Sequence, residues 1–130
     1  MQCSECRSES VPFQVSDEVA SYAPGGGEAA AICTACLHVQ PAETAPASAD
    51  LTQVSEAFPA DEAAAVDMAL VVGLLSSLAL NRTKIEELLE RVEERGVDPM
   101  LVLEELEADS HLQPSVAIGR RRRQLEQLLG

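Results

Sequence analysis

All four cysteines of the chain fall in two pairs of the form Cys-x-x-Cys, Cys3-Ser4-Glu5-Cys6 and Cys33-Thr34-Ala35-Cys36. Two intervening residues let both sulfurs of a pair face one side of a tight turn. Two such turns supply four thiolates to a tetrahedral Zn²⁺ ion, with Zn–S near ~2.3 Å. The expected ligands are therefore Cys3, Cys6, Cys33 and Cys36, and the expected cofactor is Zn²⁺. His38 lies two residues after Cys36, but four cysteines already complete the shell, so it reads as a surface or packing residue. A closed shell leaves no position for water or substrate, whereas catalytic zinc keeps one open. The site thus argues for a structural metal and against an enzyme.

Two other cysteine chemistries compete. Disulfides belong to oxidising compartments, and nothing in the chain suggests export: the first cysteine pair begins almost at the first residue, and a cytoplasmic location is expected. A redox CxxC pair needs a helix N-terminus in a βαβ setting to lower its thiol pKa. Neither pair has that context.

The elements that must position these sulfurs are short. Between the pairs lie 26 residues, Arg7 to Ile32. Val11, Phe13 and Val15 alternate as in a strand. Pro24-Gly25-Gly26-Gly27 marks a turn, and it lacks the Gly-Lys-Ser/Thr of a phosphate loop. Ala29 to Cys33 reads as a second strand leading into the second pair. The segment is a small antiparallel zinc ribbon, residues 1–39. About forty residues with few large apolar groups cannot stabilise themselves by burial, and four thiolates on zinc contribute roughly 10–16 kcal/mol of apparent binding energy. In such ribbons a glycine often follows the second cysteine, where φ turns positive. Here Arg7 and Leu37 stand at those positions.

Residues 40–58 form a linker and arm. Gln40 to Asp50 is rich in Pro and Ala, and Phe58, before Pro59, is expected to anchor against the helical core. Residues 59–130 read as a four-helix domain, which makes the fold class α+β. The first helix, about Asp61 to Leu80, is capped by Asp61 and is apolar nearly all round in its second half. Thr83 and Glu86 form a capping box for the second helix, whose apolar face is Ile85, Leu88, Leu89 and Val92 and which ends at Gly96. Glu86, Glu87, Glu90, Glu93 and Glu94 make its solvated face, with Arg91 and Arg95 in reach of Glu87 and Glu90. Asp98 and Pro99 open the third helix, and the fourth spans about Ser115 to Leu129. The apolar helix is covered either within the chain or by a second copy in a homodimer. Its longest uncharged run, Met68 to Leu80, has 13 residues, short of the ~20 that cross a bilayer.

Charge and composition narrow the partners. The net charge is −13, with eight Arg, one Lys, one Tyr, two Phe and no Trp. Residues 1–50 carry −6, residues 51–114 carry −10, and residues 115–130 carry +3. The basic excess is the run Arg120-Arg121-Arg122-Arg123, which can lie on the chain's own acidic helices, bind a partner protein, or contact nucleic acid. Four phosphate contacts give a slope near −3.6 in log K against log salt, so passing from ~0.15 M to ~3 M salt weakens binding by roughly four to five decades. The scarce lysine and abundant carboxylates fit a salt-filled cytosol, the alternative being an ordinary acidic protein of a GC-rich genome in which Arg replaces Lys. In molar salt, nucleic-acid binding through Arg120–Arg123 is disfavoured. His38 and His111 are the two histidines, and no Ser/His/Asp or Cys/His set assembles around them.

Several stretches are also similar to a family of short haloarchaeal proteins of unknown function. They are the two cysteine pairs, with Ala31-Ile32-Cys33-Thr34-Ala35-Cys36-Leu37 around the second, Val54-Ser55-Glu56-Ala57-Phe58-Pro59, Met68-Ala69-Leu70 with Leu78-Ala79-Leu80, Gly96-Val97-Asp98-Pro99, and the Arg-rich closing helix with Gln124-Leu125-Glu126-Gln127-Leu128-Leu129. The resemblance implies zinc-ribbon character and no assigned activity. The expected function is a non-enzymatic zinc-binding adaptor or regulatory module with a protein partner. The alternatives are a nucleic-acid-binding zinc-ribbon regulator and a CxxC thiol redox protein.

Overall fold

The computed structural model describes residues 1–129. The alternation at Val11 and Phe13 forms strand β1, Ser10–Gln14, and the run before the second cysteine pair forms β2, Ala29–Cys33. A third strand, β3, Val39–Pro41, lies where the sequence reads as the start of a linker. The sheet is antiparallel with order β1-β2-β3. Val11 pairs with Ile32 across β1 and β2, and Ile32 pairs with Val39 across β2 and β3. β3 escapes a sequence reading because it is three residues long and ends in Pro41, which is tolerated only at a sheet edge. All of β2 is buried, and its alanines let neighbours approach closely.

The expected count of four separate helices is corrected to three α-helical runs among the described residues. The first, α1, extends over Glu62–Glu94 without an intervening loop. Its two arms, Glu62–Leu74 and Leu78–Glu94, meet at a single 3₁₀ turn, Leu75–Ser77. There the chain folds back through Ser77 (φ −129°, ψ 54°), so that Arg91 of the second arm reaches Asp67 of the first. The capping box at Thr83 and Glu86 does not form. Thr83 lies inside the second arm, and Glu86 accepts from Arg82 at 2.9 Å, one turn earlier on the same helix. The reversal comes earlier because Asn81 caps the end of the first arm, donating to the carbonyls of Leu74 and Ser77. Arms of 13 and 17 residues are each shorter than the ~20 residues of a bilayer span.

Other helix signals hold. The Asp61 carboxylate accepts from the Ala64 N–H at 3.1 Å. Gly96 (φ +80°) closes the second arm, with its N–H on the Glu93 carbonyl and the Val97 N–H on the Val92 carbonyl, the paired bonds of a Schellman end. α2, Pro99–Ala108, is capped by Asp98. α3 is Ile118–Leu129; it starts three residues later than expected because Ser115 is engaged elsewhere.

One apolar core links the ribbon to the helices. Phe13, Ile32, Leu37 and Val39 share it with Phe58, Met68, Leu88, Leu103 and Leu125. Leu51, Val54 and Phe58, on and after a 3₁₀ turn at Leu51–Gln53, anchor the crossing segment in that core. The first arm of α1 is buried from Ala64 to Val72 within the chain. Gly73 lets the sheet pack closely on the hairpin: a Cβ there would stand 3.0 Å from the Val39 Cβ.

Candidate metal centre

Each cysteine pair sits on a turn closed in the same way. The Cys3 N–H donates to the Ser8 carbonyl at 2.8 Å, and the Cys33 N–H to the His38 carbonyl at 2.9 Å. Inside the turns, backbone N–H groups point at sulfur: Glu5 donates to Cys3 Sγ at 3.3 Å, Ala35 to Cys33 Sγ at 3.3 Å and Cys36 to Cys33 Sγ at 3.4 Å. Such bonds stabilise thiolates rather than thiols. The residue after each second cysteine takes the left-handed conformation, Arg7 at φ +67° and Leu37 at φ +63°. The knuckle geometry is kept although neither residue is glycine.

The sheet brings the two turns together. β1 and β2 pair Ser10 with Cys33, and the Thr34 N–H donates to the Glu9 carbonyl at 2.9 Å. All four Sγ atoms lie within 4.8 Å of one another. Cys3 and Cys36 Sγ are 3.6 Å apart, and Cys6 and Cys33 Sγ are 3.4 Å apart. A tetrahedron with metal–sulfur distances near 2.3 Å has edges of about 3.8 Å, so the donor set and its spacing fit a single tetrahedral ion. Cys3, Cys33 and Cys36 are buried and Cys6 is exposed. His38 is not part of the cluster.

The electrostatics of the four thiols are unequal. Hydrogen bonds from the Ser8 side chain and backbone pull Cys6 down to about 6. Burial pushes Cys36 up to about 12 and raises Cys33 as well. One sulfur is thus a ready anion at neutral pH, while Cys33 and Cys36 need a cation to hold them deprotonated.

Supports from outside the ribbon turns were not legible in sequence. Gln40, the middle residue of β3, accepts from the Ser4 N–H at 2.8 Å and donates to the Gln2 carbonyl at 3.3 Å, bracing the first turn. The segment between α2 and α3 braces the second: the Gln113 N–H donates to the Ala35 carbonyl at 2.7 Å and the Ser115 N–H to the Cys36 carbonyl at 3.1 Å.

A model of a family of unknown function, DUF6276, matches residues 2–129. The chain belongs to that family. No curated protein and no solved structure matches it. The DUF6276 match spans both cysteine turns and the whole helical part, as one unit of sequence.

A second set of charged groups joins the arms of α1 to each other and to the residues that precede them. Asp67 is 2 % exposed and pairs with Arg91 at 3.2 Å, while Arg91 also holds Glu18 at 3.1 Å. Arg95 reaches Asp61 at 3.3 Å. Both arginines therefore cross the hairpin instead of pairing with Glu87 and Glu90 along their own helix, and Glu87 accepts from the Tyr22 hydroxyl. Burial raises the Asp67 carboxyl, and Arg91 offsets part of that rise. An open cleft of ≈ 810 Å³ beside this pair is lined by Asp17, Glu28, Glu43 and Glu62 among others. Of the four arginines of α3, Arg122 pairs with Glu107 of α2 at 3.5 Å and with Glu126 at 2.7 Å. Arg121 donates to Gln124, and Arg120 and Arg123 are exposed.

Proposed function

We propose that the protein is a zinc-binding interaction module of the cytosol, an adaptor or regulator rather than an enzyme. The observation that carries this reading is the clustering of Cys3, Cys6, Cys33 and Cys36 with all sulfurs within 4.8 Å. Four soft thiolates in a tetrahedron suit Zn²⁺. N–H···S bonds serve the charged form of the ligands, and a four-sulfur shell leaves no open coordination site. Zn²⁺ in this position ties the two turns together and adds to the stability that the ribbon draws from the common core. The residues around it then form a fixed surface, and recognition of a protein partner by that surface is the function.

Metal analysis of the purified chain tests the site. One zinc per chain is expected, with loss on Cys33→Ser and Cys36→Ser. A metal-free native protein, or iron in place of zinc, overturns the zinc assignment. Affinity capture in molar KCl tests the adaptor role: a defined protein partner is expected, and a turnover found in the purified chain would defeat it.

The exposure of Arg120 and Arg123 favours one second reading, a nucleic-acid-binding regulator. Screening at high salt opposes it. Gel shifts in molar KCl that vanish in Arg120→Ala/Arg123→Ala would establish it. The redox reading predicts thiols that alkylate freely in the native protein; the zinc reading predicts protection until a chelator is added.

A further inference from the structure

The second cysteine turn is not held by the ribbon alone. The nine residues 109–117 join α2 to α3 and run against it. Their backbone donates twice into the turn, from Gln113 to the Ala35 carbonyl at 2.7 Å and from Ser115 to the Cys36 carbonyl at 3.1 Å. The two acceptor residues are one of the proposed ligands and its immediate neighbour. The Ser115 hydroxyl lies 3.5 Å from the same Cys36 carbonyl. At its start the segment is tied to the crossing arm, where the buried Ser55 donates to Asp109 at 2.7 Å. Its end enters α3 directly, and Arg121 makes the first helical bond back to Ala117. Leu112 and Ile118 hold the segment in the common core.

We infer that this connector is the outer support of the metal centre, and that metal occupancy fixes the placement of the basic helix α3. The inference rests on the reading of the four cysteines as a metal site. Without a cation the four sulfurs, packed within 4.8 Å, lose the charge that holds them together. The turn at Cys33–Cys36 is then free to reorganise, and the carbonyls of Ala35 and Cys36 move away from Gln113 and Ser115. Two backbone donors lose their partners, and the link from the ribbon to α3 is released. Arg120 and Arg123, which that helix presents to solvent, change their position relative to the ribbon surface. By linkage the coupling runs both ways, so weakening the connector must weaken the metal.

The test begins with the metal content and zinc affinity of the wild-type chain, by chelator competition. Ser115→Pro removes the N–H that meets Cys36 and leaves every cysteine in place. Its zinc affinity is expected to fall about threefold to tenfold, the worth of one or two such bonds. Ser115→Ala keeps the N–H and loses only the long 3.5 Å hydroxyl contact, so its zinc affinity is expected to fall by less than about twofold. In parallel, amide exchange is compared in the zinc-loaded and chelator-treated chain. Chelation is expected to speed exchange at Gln113, Ser115 and the first turn of α3 by at least about tenfold, with the hairpin core of α1 still protected. A wild type that binds no metal overturns the metal reading and the inference with it. Zinc bound equally by wild type and Ser115→Pro overturns the coupling alone, as does exchange at 113–121 that ignores the chelator. Should Ser115→Pro not fold, the exchange comparison on the wild-type chain decides by itself.

Discussion

At the residue scale, the two knuckles repeat one backbone geometry with side chains of opposite consequence. Arg7 and Leu37 both sit at positive φ, where a side chain costs about 1–2 kcal/mol that glycine avoids. Arg7 is exposed, so Arg7→Gly removes the strain and little else; stability of the zinc-loaded chain is expected to rise by up to about 1 kcal/mol in denaturant titrations. Leu37 is buried in the core. Leu37→Gly relieves the same strain but removes a packed side chain, and a net loss of about 2 kcal/mol is expected by the same measurement. The thiols set a proton balance as well. Cys33 and Cys36 are raised by burial, so the proposed metal, on binding there, must displace their protons. Calorimetry in buffers of different ionisation enthalpy is expected to show about two or more protons released per zinc near pH 7.5, and an affinity that climbs with pH. Asp67 contributes with the opposite sign in pH. Its folded pKa lies above the ordinary value, so the native state holds the proton more tightly than the unfolded chain. The stability this group supplies is complete below the unfolded pKa and declines as pH rises through the folded one. Arg91→Ala leaves the buried carboxylate unpaired; a loss of about 2 kcal/mol is expected at pH 7, shrinking as acid protonates Asp67, in melts taken from pH 7 to about pH 4.

At the scale of elements, the hairpin of α1 depends on its two ends. The tip is made by Leu75–Ser77 and by Asn81, whose amide satisfies the carbonyls that the reversal exposes. The far end is closed by the Gly96 turn. Gly96→Ala forces a Cβ into φ +80° and is expected to cost about 1 kcal/mol by chemical denaturation. Gly73 lies on the packing face instead. Alanine would improve helix propensity by about 1 kcal/mol, but its Cβ would meet Val39 at 3.0 Å. Val39 is fixed by its pairing with Ile32 and cannot yield easily, so overpacking of about 1–3 kcal/mol prevails. The sheet and the hairpin are thus matched to within a methyl group.

At the scale of the whole molecule, the acidic surface and the shared core pull in different directions. A net charge of −13 on 130 residues repels itself at low ionic strength, while one core spans ribbon, arm and helices. Screening is short-ranged at molar salt, with a Debye length of about 3 Å at 1 M. The melting temperature of the zinc-loaded chain is therefore expected to rise between about 0.1 M and about 3 M KCl, followed by circular dichroism. A flat or falling curve would mean that the ion pairs at Arg91, Arg95 and Arg122 outweigh the general repulsion.

Local signals determined much of this protein. The Cys-x-x-Cys spacing specifies two like turns, because two residues are what a chain needs to point both sulfurs to one side. The strand at Ser10–Gln14, the caps at Asp61 and Asp98, and the stop at Gly96 were legible for the same reason: each depends on residues within one turn of each other. Phe58 was legible as an anchor because large apolar groups are rare in this composition. What distant residues decide was not legible. Thr83 and Glu86 carry the letters of a cap, yet the chain turns earlier, where burial of Leu75 and Leu78 and the amide of Asn81 favour reversal. Val39–Pro41 becomes a strand through the free edge of β2, which no local pattern announces. Gln113 and Ser115 reach the cysteine turn through backbone N–H groups, which every residue but proline possesses; only the tertiary fold could select them.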